Sequence, residues 1–92
     1  MPVNTPAISL IVPCYNVEAH LRQCLESLRQ QTFSDFEAIC INDGSTDRTL
    51  EILREYEAKD KRFRVIDKGN EGYGGTVNCG LDQARGDRKS VV

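Results

Sequence analysis

Phe36-Glu37-Ala38-Ile39-Cys40-Ile41-Asn42-Asp43-Gly44-Ser45-Thr46-Asp47 is the stretch that decides how this chain folds. Its first half, Phe36 to Ile41, is apolar with almost no alternation, the pattern of a strand covered on both faces. Its second half, Asn42 to Asp47, holds turn and helix-cap residues. Leu50, Leu53 and Tyr56, with Ile52, then follow at helical spacing. The same order occurs on either side. Upstream, Ile8, Leu10, Ile11 and Val12 form another apolar run, ended by Pro13, which has no N–H for a ladder. Leu21, Cys24, Leu25 and Leu28 give an amphipathic helix over about Val17 to Gln31, with Asn16 as its N-cap and Glu18 at its positive start. Downstream, the second helix fades at Lys59-Asp60, and Phe63-Arg64-Val65-Ile66 reads as a third short strand. Lys68 to Gly75 reads as a glycine-rich loop. Val77, Leu81 and Ala84 mark a third helix, with Gly86 in the place of a C′ glycine.

Strands and helices alternating with short connections predict an α/β fold: a parallel, right-handed, doubly wound sheet in three α/β/α layers. Ligands of such sheets bind beyond the carboxyl ends of the strands. That rule selects three loops, Pro13–Asn16, Asn42–Asp47 and Lys68–Gly75.

Ninety-two residues, 39% hydrophobic and 28% charged, make one small domain of ordinary globular composition. A net charge of −2 leaves no electrostatic footprint for nucleic acid. Lys61, Arg62, Arg64 and Lys68 cluster, but Asp60 and Asp67 interrupt them, so they read as a solvated face around a strand. Cys14, Cys24, Cys40 and Cys79 include no C-x-x-C pair, and His20 is the only histidine, which argues against zinc. The cysteines lie in or beside apolar runs and read as reduced core residues, which points to a cytoplasmic protein. Ala7 to Val12 is too short for a signal sequence or a membrane span, and no other segment of these residues is a candidate.

Two phosphate loops are excluded. A dinucleotide loop needs G-x-G-x-x-G after the first strand, where this chain has Pro13-Cys14-Tyr15-Asn16; Gly72-Tyr73-Gly74-Gly75 has Val77 where the third glycine belongs. No Gly-Lys pair exists for a Walker loop. What remains is Tyr15, an aromatic plane for a base to stack on, and Asp43, a carboxylate at a strand end able to accept hydrogen bonds from a base or ribose. Asp43 to Asp47 could equally be turn and helix cap, and Tyr15 a rim aromatic; on residue chemistry alone both readings stay open.

Taken in order, Ile11-Val12-Pro13-Cys14-Tyr15-Asn16, the helix end Leu28-Arg29-Gln30-Gln31-Thr32-Phe33, Phe36-Glu37 and Asn42-Asp43-Gly44-Ser45-Thr46-Asp47 closely resemble the start of a family 2, GT-A fold glycosyltransferase. Asn70-Glu71-Gly72, Asn78-Cys79-Gly80-Leu81 and Ala84-Arg85-Gly86-Asp87 are similar to that family's next segment, so the resemblance covers nearly the whole chain up to about Asp87. It implies that residues 1–92 are the N-terminal, nucleotide-binding portion of an incomplete GT-A domain. The parent enzyme would transfer a sugar from a nucleotide-diphosphate donor, expected to be a UDP-sugar, to a hydroxyl acceptor with inversion. By this resemblance Pro13 and Tyr15 line the base, Asp43 accepts from the uracil ring, and Gly72 to Asn78 pass near the ribose and diphosphate. The nucleotide-binding set it implies is Pro13, Tyr15, Asn16, Asp43, Gly44, Ser45, Gly72 and Asn78. Many members carry an arginine where this chain has Val77.

No catalytic residue and no metal ligand is assigned. The family continues from Gly86-Asp87 into a strand and an acidic D-x-D-type motif that holds a divalent metal, whereas this chain reads Arg88-Lys89-Ser90-Val91-Val92; Asp82 and Asp87 lack that spacing. A divalent metal, Mn or Mg, is therefore expected of the full-length enzyme and not of this fragment, which is expected to be inactive alone. The first strand is expected to lack its outer partner and to present a bare apolar edge that drives homo-oligomerisation. A non-catalytic nucleotide-binding or interaction module is the main alternative. A nucleotidyltransferase would want a glycine- and arginine-rich loop after the first strand, and a flavodoxin-like receiver an acidic pair there.

Overall fold

A computed structural model describes residues 5–92. The elements run β1 (Ile8–Cys14), α1 (Glu18–Arg29), β2 (Phe36–Asp43), α2 (Thr49–Lys59), β3 (Phe63–Lys68), α3 (Gly72–Gln83) and β4 (Arg88–Val91). The four strands form one sheet in the order β3-β2-β1-β4, and every neighbouring pair is parallel.

Because successive side chains point to opposite faces, β1, β2 and β3 each feed two cores, whereas β4 is exposed along its length. Val12, Cys14, Ala38, Cys40 and Phe63 meet Leu21, Leu25 and Leu28 of α1 and Ile52, Leu53 and Tyr56 of α2 on one face. Ile11, Ile39 and Ile41 meet Ile66, Leu81 and Ala84 on the other, where α3 lies. The result is the expected three-layer α/β/α arrangement. β2 is buried along its whole length, as a central strand with helices on both faces must be. Gly80 lets α3 approach the sheet: a Cβ there would stand 2.4 Å from Ile11 Cγ2.

A charged clasp crosses the second core. Glu37 is 3% exposed. It accepts hydrogen bonds from Ser9 Oγ at 2.6 Å, the Arg85 amide at 2.7 Å and Arg64 at 3.0 Å. Ser9 Oγ in turn accepts from the Gly86 amide at 2.8 Å. Burial alone would raise the Glu37 pKa; the bonds from Ser9, the Arg85 amide, Arg64 and the Arg85 side chain outweigh it and lower it to about 2.

Several expectations are corrected here. β1 is not a bare edge: Arg88–Val91 pair with it, Ile8 opposite Arg88 and Ile11 opposite Val91. Backbone pairing formed the strand despite a polar sequence that carries no apolar run. β1 also continues through Pro13, opposite Ile41. The residues of β1 that bond toward β4 are the odd-numbered ones, since Val92 N donates to Ile11 O, so the N–H that Pro13 lacks lies on the β4 side and leaves the ladder to β2 intact. Gly86 is not a helix cap. α3 ends at Gln83, and Gly86 is needed because a Cβ there would lie 2.8 Å from the Ser9 backbone nitrogen. Lys68 to Gly75 is not all loop, since α3 begins at Gly72.

The basic cluster is not a free solvated face either. Arg62 stacks on Phe36 and pairs with Asp60, Arg64 pairs with Glu37, and Lys68 pairs with Asp43. Asn16 does not cap α1, whose N-cap is Val17. All four cysteines are free, Cys14 and Cys40 buried and Cys24 and Cys79 half-buried.

Candidate functional site

The loops after β1 and β2 are laced together. Asn16 takes a left-handed backbone, φ 50°, which asparagine tolerates better than most residues. Its Oδ1 then accepts from the Thr46 amide at 2.7 Å, while its own amide donates to Ser45 Oγ at 3.0 Å. Asp47 serves two helices at once. One carboxylate oxygen accepts from the Thr49 amide at the start of α2 and the other from the Glu18 amide at the start of α1. The Thr49 hydroxyl bond, foremost among its contacts, holds Asp47 below the usual carboxylate range. Most of the turn-and-cap chemistry in Asn42–Asp47 is therefore spent on fixing two helix starts.

Asp43 differs. It ends the central strand and points at the start of α3. Oδ1 accepts from the Glu71 amide at 2.8 Å and from Lys68 Nζ at 3.2 Å; Oδ2 accepts from the Gly72 amide at 3.1 Å. Burial pushes its pKa up, but the Glu71 amide and Lys68 outweigh that and keep it low, so the group is ionised at neutral pH. Asn70 Nδ2 donates to the Asp43 carbonyl. Gly44 makes this possible: its φ is +72°, and a Cβ there would come within 2.7 Å of the Asn70 amide nitrogen.

Between the β1 loop and the first turn of α3 opens a groove of about 330 Å³, lined by Pro13, Cys14, Tyr15, Asp43, Asn70, Gly72, Tyr73 and Thr76. It lies at the carboxyl ends of β1 and β2, where ligands of such sheets bind. Of the residues expected from sequence, Pro13, Tyr15, Asp43 and Gly72 meet here. Asn16, Gly44 and Ser45 stand behind it as loop supports, and Asn78 is exposed on α3 outside the lining. Asn70, Tyr73 and Thr76 are not singled out by the sequence, although they fall in the Lys68–Gly75 loop and the Gly72–Asn78 stretch expected near the ligand. An exposed tyrosine set among glycines, Gly72-Tyr73-Gly74-Gly75, was the available signal for Tyr73; the fold decides which other residues of those stretches, Asn70 and Thr76, reach the groove.

A larger cavity, about 600 Å³, opens beside Ser34, Asp35, Lys61, Arg62 and Arg85. It sits at the amino ends of the strands, and its main charges are already paired, Arg62 with Asp60 and Arg85 with Glu37. The smaller groove is the better site. Among the described residues no group of three or more His, Cys, Asp or Glu side chains is placed to hold a metal ion. No helix among them is long and apolar enough to cross a membrane.

Comparison with known proteins bears on the family and the fold. The family model described as Glycosyl transferase family 2 matches residues 9–92. EpsH of Bacillus subtilis (strain 168) is 48% identical over 85 residues, covering 92% of this chain and 25% of EpsH. The crystal structure of S. aureus TarS 1-349 superposes with a TM-score of 0.84 at 37% identity, covering 92% of this chain and 26% of that one. The same TarS piece in complex with UDP gives 0.75 at 33% identity over 92% of this chain and 26% of that one. A mannosyltransferase from Pyrobaculum calidifontis, in complex with GDP-Man and Mn2+, shares the fold alone, with a TM-score of 0.78 at 21% identity over 87% of this chain and 25% of that one. The chain thus spans about a quarter of the length of these relatives.

Proposed function

The chain belongs to glycosyl transferase family 2 and has its GT-A fold, and we propose that its groove receives the uridine end of a UDP-sugar, whose sugar the longer protein passes to a hydroxyl acceptor with inversion. The observation that carries the uridine reading is the state of Asp43. An ionised carboxylate offers about four lone-pair sites, and three are taken by Glu71, Lys68 and Gly72. One remains. Uracil presents a single imide N–H, which that site can accept, whereas the adjacent N–H groups of guanine call for two acceptors side by side. Pro13 and Tyr15 supply an apolar and aromatic surface for the ring. The binding of UDP by TarS, the more similar of the two liganded neighbours, supports the same base.

The diphosphate lies elsewhere than at the start of α3, because the Asp43 carboxylate already occupies the Glu71 and Gly72 amides there. Lys68, the ammonium beside the groove, is held by Asp43 and Glu71. Charge developing on a diphosphate leaving group needs a metal or free cations, and these residues do not fit a metal. The divalent metal belongs to other parts of the full-length enzyme, and the 92 residues bind nucleotide without turning it over. A cytoplasmic setting goes with the four free thiols.

Titrating UDP and GDP into the chain, with amide shifts followed by NMR with and without Mn²⁺, tests the reading. The expected result is UDP shifts at Tyr15, Asp43 and Gly72 that do not depend on metal, with GDP much weaker. Equal GDP binding would remove the uridine assignment, and no shifts at millimolar UDP would remove the nucleotide site. Homo-oligomerisation is assigned to the edge of β4, which among the described residues pairs only with β1. A dimeric mass by light scattering at high concentration supports a homo-oligomer; a monomer at every concentration refutes it.

A further inference from the structure

The groove has a second aromatic residue. Tyr73 is 68% exposed and Tyr15 50% exposed, and both line the same cavity with Asp43. The ring–ring stack of the described residues is Tyr56 with Phe63, and the cations over rings sit on Tyr56 and Phe36. Neither Tyr15 nor Tyr73 takes part in an aromatic stack or a cation–π contact among the described residues, and both rings are largely open to solvent. Large aromatic rings left open to solvent on both banks of one groove are suited to stacking on a planar ligand.

The turn that carries Tyr73 is also unusual. It reads Gly72-Tyr73-Gly74-Gly75 at the start of α3, where glycine is a poor helix former. Gly72 has φ +83°, which explains glycine there, but a Cβ on Gly74 would meet nothing within 4 Å. Packing therefore does not require glycine at 74. The turn is tied down by Asp43 at the Gly72 amide and by the Thr76 hydroxyl at the Gly72 carbonyl. Tyr73 follows directly after these ties, flanked by residues without side chains to hinder it.

We infer that Tyr73 is the second wall of an aromatic clamp: the nucleotide base lies between the rings of Tyr15 and Tyr73 with one edge on Asp43, and the glycine-rich turn lets the Tyr73 ring settle onto it. This rests on the nucleotide reading above and adds a residue that selects a planar base over the remainder of the ligand. Lys68 and Asp43 fix the inner end of the groove, so adjustment to the ligand falls to its outer wall.

Calorimetric titration of UDP, uridine and pyrophosphate into the wild-type chain, Tyr73→Phe, Tyr73→Ala and Tyr15→Ala tests the clamp. Tyr73 is exposed, so the melting temperatures of its variants should match wild type. The expected result is that Tyr73→Ala weakens UDP and uridine about tenfold, as loss of one stacking partner does, while Tyr73→Phe keeps the affinity and the pyrophosphate response does not change. UDP binding that is lost in Tyr15→Ala but untouched in Tyr73→Ala overturns the clamp and leaves the nucleotide site standing. A Tyr73→Phe loss as large as that of Tyr73→Ala, or an equal loss for pyrophosphate, overturns it as well. Wild-type chain that binds neither UDP nor uridine removes the site and the clamp together.

Discussion

Asp43 ties the start of α3 to the end of β2 and also lines the groove, where the proposed reading gives its remaining acceptor site to the base. Asp43→Asn separates these poorly, because an amide has one acceptor oxygen and cannot serve the Glu71 amide, the Gly72 amide and Lys68 together. Chemical denaturation of Asp43→Asn should show a loss of about 1–3 kcal/mol, the range for stranding buried partners of a charged group, together with loss of the UDP shifts. Unchanged stability would mean that the three bonds are not a real anchor. The carboxylate at the strand end was legible in the sequence, but its structural occupancy was not, since two of its three partners are backbone amides at the start of α3, 28 and 29 residues away. Asn16 shows the opposite difficulty. An asparagine before a helix serves equally as an N-cap or as a left-handed residue bonded to a neighbouring loop, and only the position of Thr46 decides which.

α3 carries its glycines for unlike reasons, and substitution should reveal them. At Gly80 the helix touches the sheet, so alanine would press on Ile11 Cγ2 at 2.4 Å and Ile41 Cδ1 at 2.9 Å. Overpacking of that kind costs about 1–3 kcal/mol. At Gly74 a Cβ meets open space, and alanine should raise helix stability by about 0.5–1 kcal/mol. Thermal melts of Gly80→Ala and Gly74→Ala that shift in the same direction would contradict this account of how α3 is seated. Elements with strong apolar periodicity were legible: β1, β2, β3 and the first two helices fell where their runs lie, with ends displaced by a few residues. β4 was not, because Arg88-Lys89-Ser90 carries no apolar signal. It becomes a strand because Gly86 delivers the chain onto the free hydrogen-bonding side of β1, a cause outside its own residues.

At the scale of the whole molecule, Glu37 is where the elements are joined. Through Ser9, Arg64, Arg85 and the Gly86 link it connects β1, β2, β3 and the passage from α3 to β4. No pattern in the sequence marks it beyond a charge inside an apolar run, and its partners stand 27, 28 and 48 residues away. Its effect on stability follows from its pKa. The folded value is about 2, below the roughly 4.3 of an unfolded glutamate. A depressed carboxylate contributes fully above the unfolded value and loses its contribution as pH falls toward the folded one. The window is therefore about pH 4.3 down to about pH 2, not the neutral range. A shift of this size corresponds to about 2 kcal/mol once solvent around the partners is allowed for, Arg85 being 56% and Arg64 33% exposed. Other carboxylates, Asp43 and Asp60 among them, are also lowered, so the total acid limb cannot be assigned to one group. The difference between wild type and Glu37→Gln can. Urea unfolding of both at a series of pH values should give a constant gap above about pH 5 that narrows by about 2 kcal/mol by pH 2. A gap that stays constant across that range would show that Glu37 titrates alike in the folded and unfolded chain, and that the clasp joining these elements does not depend on its charge.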